Sequence, residues 1–248
     1  MENKIEYQKL QHLLNTESKD FEFLQKLSAD ELRTLRVRMT EVMDLDQPEI
    51  WGRVAKVAKF MPNFLNAKAS ETVLGALITA NISTYVPIKD AISIMKNLST
   101  PFLAEVAEYM IPEKSEELIE NISVDTLKKI TTQLLKNKKY YVASGFVNVL
   151  SFPKINAISE VITDELDLIL IAEFVENKAH IARIVEGFSD KRILKIIQTA
   201  YKNNKQEEIL TVFKLLSPRE LTRVLSIVKQ LSGADQDTIL QDFVTRIK

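Results

Sequence analysis

Apolar residues recur along this chain at steps of three and four. Val124, Leu127, Ile130, Leu134 and Leu135 follow Ser123 in that rhythm, and Leu221, Val224, Leu225, Val228 and Leu231 repeat it after Ser217-Pro218-Arg219-Glu220. This spacing gathers the apolar side chains on one face and predicts amphipathic α-helices. Helix starts are equally legible. At Ser217 a serine N-cap, a proline at the first helical position and a glutamate three residues after the cap make a capping box. Ser28-Ala29-Asp30-Glu31 has the same Ser-to-Glu spacing ahead of Leu32 and Leu35, and Ser189-Asp190 precedes Ile193, Leu194, Ile196, Ile197 and Ala200.

Proline marks where one periodic segment stops and another starts, at Pro62, Pro87, Pro101, Pro112, Pro153 and Pro218. Between these marks the pattern predicts helices over 87–97, 101–110, 112–121, 123–136, 139–150, 153–162, 164–175, 177–187, 189–203, 205–215, 217–231 and 234–247. Short helices joined by tight turns imply an all-α, superhelical stack of the armadillo or HEAT kind, each unit burying its apolar face on the next. The repetition is one of pattern: Leu118-Ile119-Glu120-Asn121-Ile122-Ser123 and Ile184-Val185-Glu186-Gly187-Phe188-Ser189 share an apolar pair, a glutamate, a helix-ending residue, an apolar residue and a serine cap. Leu166, Leu168, Ile169, Leu170, Ile171, Phe174 and Val175 occupy most faces of their segment, which predicts a helix covered on several sides.

The first 45 residues are more polar, with Phe21, Phe23, Leu24 and Leu27 as apolar anchors, and read as an N-terminal helical extension or cap. Asp44-Leu45-Asp46-Gln47-Pro48 reads as a loop, after which Trp51, Val54, Val57, Ala58 and Met61 share the apolar face of a helix. Residues 46–248 then form one helical-repeat domain with no low-complexity linker. The last helix, with Ile239, Leu240, Phe243, Val244 and Ile247, either packs back on the stack or pairs with a second copy.

Composition narrows the chemistry. Five glycines and seven prolines in 248 residues are few for an all-β fold. The absence of cysteine excludes disulfides, thiolate nucleophiles and Cys-based metal sites. With 33 basic and 34 acidic residues there is no net field to attract a nucleic acid. The amino-terminal residues lack the pattern of a signal peptide and no apolar run is long enough to span a bilayer, so a cytoplasmic protein is expected. Gly52, Gly75, Gly145, Gly187 and Gly233 are scattered, without the spacing of a phosphate-binding loop.

Phe102-Leu103-Ala104-Glu105-Val106-Ala107-Glu108-Tyr109-Met110-Ile111-Pro112-Glu113-Lys114-Ser115-Glu116-Glu117-Leu118-Ile119 carries a resemblance, spanning about residues 61 to 231, to the intracellular N-terminal helical domain of the MgtE magnesium transporters, whose fold is related to armadillo-like modules of flagellar motor switch proteins. Tyr140-Tyr141-Val142-Ala143-Ser144-Gly145-Phe146-Val147 is similar to a segment of uncharacterised bacterial proteins that carry this helical domain alone. The resemblance implies a helical stack. The transporters' membrane helices and paired regulatory domains have no counterpart here, so no transport and no metal ligand is carried over.

Five groups of residues bear on a possible site. Glu113, Glu116, Glu117 and Glu120 are spaced to line one helical face, where Mg²⁺ or a basic partner would be drawn; a solvated face favoured by the helix dipole is the plainer alternative. Asp164, Glu165 and Asp167 have the same dipole explanation. Lys136, Lys138 and Lys139 followed by Tyr140 and Tyr141 combine charge with aromatic surface and are candidates for partner binding, against packing between helices. Arg33, Arg36 and Arg38 read as a solvated face. His12 and His180 are the only histidines, which leaves a triad or a His-rich metal site without enough members.

The sequence therefore points to a non-enzymatic helical-repeat scaffold that binds a protein partner along its stack. A Mg²⁺-sensing module acting through Glu113 to Glu120 is the alternative, and a small-ligand binder or enzyme with a pocket near Tyr140, Tyr141 and His180 is a third.

Overall fold

The structure, a computed structural model, describes residues 2–14, 19–45, 48–229 and 235–246. Asp46 and Gln47 of the expected loop, Leu231, Gly233 and Ile247 lie outside the described residues. Among the described residues there are seventeen α-helices and no strand, so the fold is all-α. They are α1 (Glu2–Leu13), α2 (Ala29–Leu45), α3 (Pro48–Ala58), α4 (Asn63–Ala69), α5 (Gly75–Ser83), α6 (Ile88–Met95), α7 (Thr100–Tyr109), α8 (Glu116–Asn121), α9 (Val124–Lys136), α10 (Tyr140–Val149), α11 (Phe152–Ser159), α12 (Glu165–Phe174), α13 (Lys178–Glu186), α14 (Asp190–Lys202), α15 (Gln206–Phe213), α16 (Pro218–Lys229) and α17 (Asp235–Arg246).

The helices pack in a regular order. In one series α5 meets α7, α7 meets α9, α9 meets α11, α11 meets α13 and α13 meets α15; in the other α4 meets α6, α6 meets α8, α8 meets α10, α10 meets α12, α12 meets α14 and α14 meets α16. Each apolar stripe is thus buried against a helix two places along, as expected when no single hairpin has enough apolar surface to close a core alone. One continuous core runs from Leu103 in α7 to Phe243 in α17. α12 lies within it, and none of residues 165–175 is exposed, in keeping with its apolar sequence on most faces.

Polar contacts bind successive hairpins in a recurring way. Backbone N–H groups at helix starts donate to a glutamate of the preceding hairpin: Ser99 N to Glu71 at 2.6 Å, Ser151 N to Glu120 at 3.1 Å and Ser217 N to Glu186 at 3.3 Å. In α11, α14 and α16 a cation reaches the carbonyls that end an earlier helix. Lys154 donates to Glu120 O and Ile122 O, Arg192 to Ser159 O and Ile162 O, and Arg223 to Glu186 O and Phe188 O. Both contacts satisfy groups that a helix leaves without internal partners and place charge where the helix dipole favours it. At Ser217 the capping box is only half made: Glu220 N donates to Ser217 Oγ, while the Ser217 amide goes to Glu186 and the Glu220 carboxylate to Arg223. At Ser28 and Glu31 both arms are present, at 2.8 and 3.3 Å.

The segment expected as a helix over 112–121 is divided. Pro112–Lys114 is a single 3₁₀ turn, Ser115 leaves the helical region at φ −106°, and α8 begins at Glu116. Proline suits the first position of this turn, where its fixed φ fits and no N–H donor is required.

The first two helices have a small core of their own, made of Tyr7, Leu10, Leu24 and Leu32. They meet the stack in its middle, at Glu176 after α12 and at Tyr141 in α10.

Candidate partner-binding site

Eight of the thirteen exposed large hydrophobic residues among the described residues fall between positions 50 and 77: Ile50, Val57, Phe60, Met61, Phe64, Leu65, Val73 and Leu77. Their centre is the turn joining α3 to α4. α3 turns Trp51, Val54 and Ala55 toward a core shared with α5 and α6, and that uses up its buried face. Val57 is left outside, and the chain then presents Phe60 at 88% exposure and Phe64 at 60%. Val57 and Met61 were expected on the same buried face as Trp51. Met61 instead lies beyond the end of α3, in the turn, where helical spacing no longer sets its direction.

The turn is held from beneath by Asn66, which is buried although polar. Its Nδ2 donates to Ala58 O at 2.8 Å and to Met61 O at 3.1 Å. Backbone bonds from Phe60 N to Val57 O, Met61 N to Ala58 O and Leu65 N to Pro62 O complete the turn. An exposed apolar group fixed in this way loses little conformational freedom when a partner covers it. Arg53, Lys56, Lys59 and Lys68 are exposed around it, with Glu49 and Glu71 as the acidic neighbours. Beyond α4 the helix passes through one π turn, Ser70–Leu74, and Gly75 takes φ +75°, which a side chain resists. Val73 and Leu77 are exposed on either side of that kink.

The residues singled out from sequence lie elsewhere. Glu113 is in the 3₁₀ turn, so it does not share a helical face with Glu116, Glu117 and Glu120. Glu116 and Glu117 are exposed, whereas desolvation, the largest single influence on Glu120, would raise its carboxyl, and the bonds it accepts from Ser151 together with Lys154 outweigh it and lower the carboxyl. Among the described residues no group of three or more His, Asp or Glu side chains is arranged to hold a metal ion. Asp164 accepts from Leu166 N and caps α12.

The basic and aromatic run is divided among structural tasks. Lys136 is exposed, Lys138 takes the left-handed conformation at φ 56° that turns the chain after α9, and Lys139 pairs with Glu108 at 2.6 Å. Tyr140 donates to Asp167 at 2.8 Å, linking α10 to α12, and burial together with that bond pushes its hydroxyl up to about 12. Tyr141 packs between His12 and Phe174, with ring centres 4.9 and 5.9 Å away. His180 stacks on Phe152 at 4.7 Å, and burial, assisted by Arg183, lowers its pKa. Tyr140, Tyr141 and His180 thus each meet different partners.

Arg33 and Arg38 are exposed, as a solvated face requires, while Arg36 is largely covered. Arg33 and Arg36 both reach Glu6, at 3.7 and 3.2 Å, and Glu6 also pairs with Lys9 at 2.9 Å. Glu6 and Lys9 are each 3% exposed. Glu176 accepts from Lys9 and Arg36, both at 2.9 Å. Burial alone would raise the Glu176 carboxyl, but Lys9, Arg36 and Arg33 hold it below its ordinary value.

Comparison of the chain with protein-family models, with curated proteins and with solved structures gives no match. Fold and site are therefore read from this molecule alone: an all-α stack in which no helix of the described residues is long and apolar enough to cross a membrane, bearing one apolar, basic-rimmed turn.

Proposed function

We propose that this chain is a non-enzymatic helical-repeat scaffold and that the turn between α3 and α4 docks a protein partner, an amphipathic helix with an acidic rim. The observation that carries the reading is Phe60, an aromatic side chain 88% exposed in a turn secured by a buried asparagine. Apolar groups in connecting turns are ordinarily replaced by polar ones, and a cluster of them rimmed by charge marks an interaction surface. The rim selects the partner's sign, since Arg53, Lys56, Lys59 and Lys68 outnumber Glu49 and Glu71. On this reading the resemblance to the transporters' intracellular domain is one of helical stacking and not of magnesium chemistry.

A fluorescent acidic amphipathic peptide of leucine and glutamate, compared with a leucine and lysine counterpart, tests the proposal by anisotropy. The acidic peptide binds saturably, and Phe60→Glu/Phe64→Glu weakens it by at least about tenfold, a change of about 1.4 kcal/mol. Equal binding of both peptides, equal binding to the double variant, or binding to anionic vesicles but to neither peptide overturns it.

A further inference from the structure

A second site lies inside the stack. Between α9 and α15 the core holds a partly open cavity of about 120 Å³, walled by Ile130, Phe146, Ala172, Ile184 and Phe213 among other apolar side chains. Apolar cavities of roughly 150 Å³ accept a benzene-sized molecule. Only three polar residues line this one: Thr131, Ser159 and Glu208. Ser159 donates its hydroxyl to Asn156 O at 2.8 Å. Glu208 is different. Its side chain is 10% exposed, Oε1 lies 3.5 Å from Lys205, and Oε2 is buried without a hydrogen-bond partner. Leaving a carboxylate oxygen unpaired inside a protein is unfavourable, and a donor arriving with a ligand removes that penalty.

The surrounding charges define the donor. Lys205 is held mainly by Glu173, at 2.8 and 3.1 Å, and Lys178 lies near enough to feel both Glu173 and Glu208 while its ammonium donates to Ala172 O and Glu173 O. Lys178 also feels Glu176 and the like charge of Lys9, so three carboxylates are matched by three ammonium groups, which leaves no net charge to attract a cation or an anion. We propose that the cavity is a binding site for a neutral single-ring molecule bearing one hydroxyl donor, a phenol, with its ring among the apolar walls and its hydroxyl donating to Glu208 Oε2. The site is separate from the α3–α4 turn, and neither reading depends on the other.

Phenol and toluene, equal in size and differing in the donor, are the probes, and methyl-region NMR titration of the full chain is the readout. In the wild type both produce saturable shifts of the isoleucine methyls that line the cavity. In Glu208→Met the preference for phenol over toluene falls by about tenfold, the size expected for a hydrogen bond to a charged acceptor. Ala172→Phe fills the space and abolishes binding of both probes; if that variant does not fold, Ala143→Leu is used with thermal unfolding as the check. Shifts that do not saturate, a phenol-to-toluene ratio unchanged in Glu208→Met, or binding that persists in a folded cavity-filled variant overturns the proposal.

Discussion

Single residues decide how closely these helices approach. Gly145 in α10 faces Pro112, and a Cβ built there would lie 2.8 Å from the proline Cγ, too close for a ring that cannot swing aside. Gly145→Ala should destabilise the chain by about 1–3 kcal/mol, the range for overpacking a tight contact, measured as a lower urea midpoint at unchanged slope. Asn66 acts in the opposite sense, by supplying contacts. Asn66→Ala strips Ala58 O and Met61 O of a donor and should cost about 1–3 kcal/mol. Hydrogen exchange should then rise in residues 57–66 first. Neither role was legible in the sequence. A lone glycine within a helical pattern and an asparagine after a proline have many uses, and only the neighbour brought up by the fold distinguishes them.

Among the elements, the α1–α2 hairpin shows what a charged pattern conceals. Arg36 sits on α2 in a polar pattern, yet its partners, Glu6 and Glu176, come from other elements, and the exposed Arg33 reaches Glu6 as well as Asp30 of its own helix. No local spacing reveals such pairing. Because Glu6 and Lys9 are buried, removing one charge leaves the others unbalanced in poorly solvated surroundings. Glu6→Ala should loosen the hairpin by about 3–5 kcal/mol, visible as faster hydrogen exchange in residues 2–14 and 29–45 with little change in α12–α16. Acid should act there too. His12 packs on Tyr141 with Lys139 and Glu108 as its charged neighbours; burial first, then Lys139, lowers its pKa below 6.5, while Glu108 opposes. The packed state therefore holds the proton more weakly than the unfolded chain. Its stability is complete above pH 6.5 and declines as pH falls from there through the lowered value. Glu176, also lowered, adds a second loss as pH falls below 4.5. In a pH series of thermal unfolding, His12→Gln should reduce the upper decline, to which the lowered His180 also contributes, and leave the lower one.

For the whole molecule, apolar period and serine caps announced the all-α fold, since both are local properties of a helix. The capped starts at Ser123 and Ser189 are present as read, with Thr126 N and Arg192 N donating to the serine hydroxyls. The candidate site was hidden for a related reason. Val57 and Met61 continue the apolar rhythm of α3 and so resembled core, but the neighbouring helices cover only the Trp51 side. A sequence records that a face is apolar and not whether anything lies against it. The signal available was the run Phe60-Met61-Pro62-Asn63-Phe64-Leu65, four large apolar residues placed around a proline turn where polar ones are usual. The central claim, that this turn is where a protein partner docks, is tested most directly by a photoreactive phenylalanine analogue placed in the full chain in its native cells. Position 60 in the turn is compared with position 191, an exposed site on α14. Illumination should give a discrete protein adduct from position 60, lost when Phe64→Glu is added, and none from position 191. Lipid adducts only, no adduct, or the same adducts from both positions would contradict it.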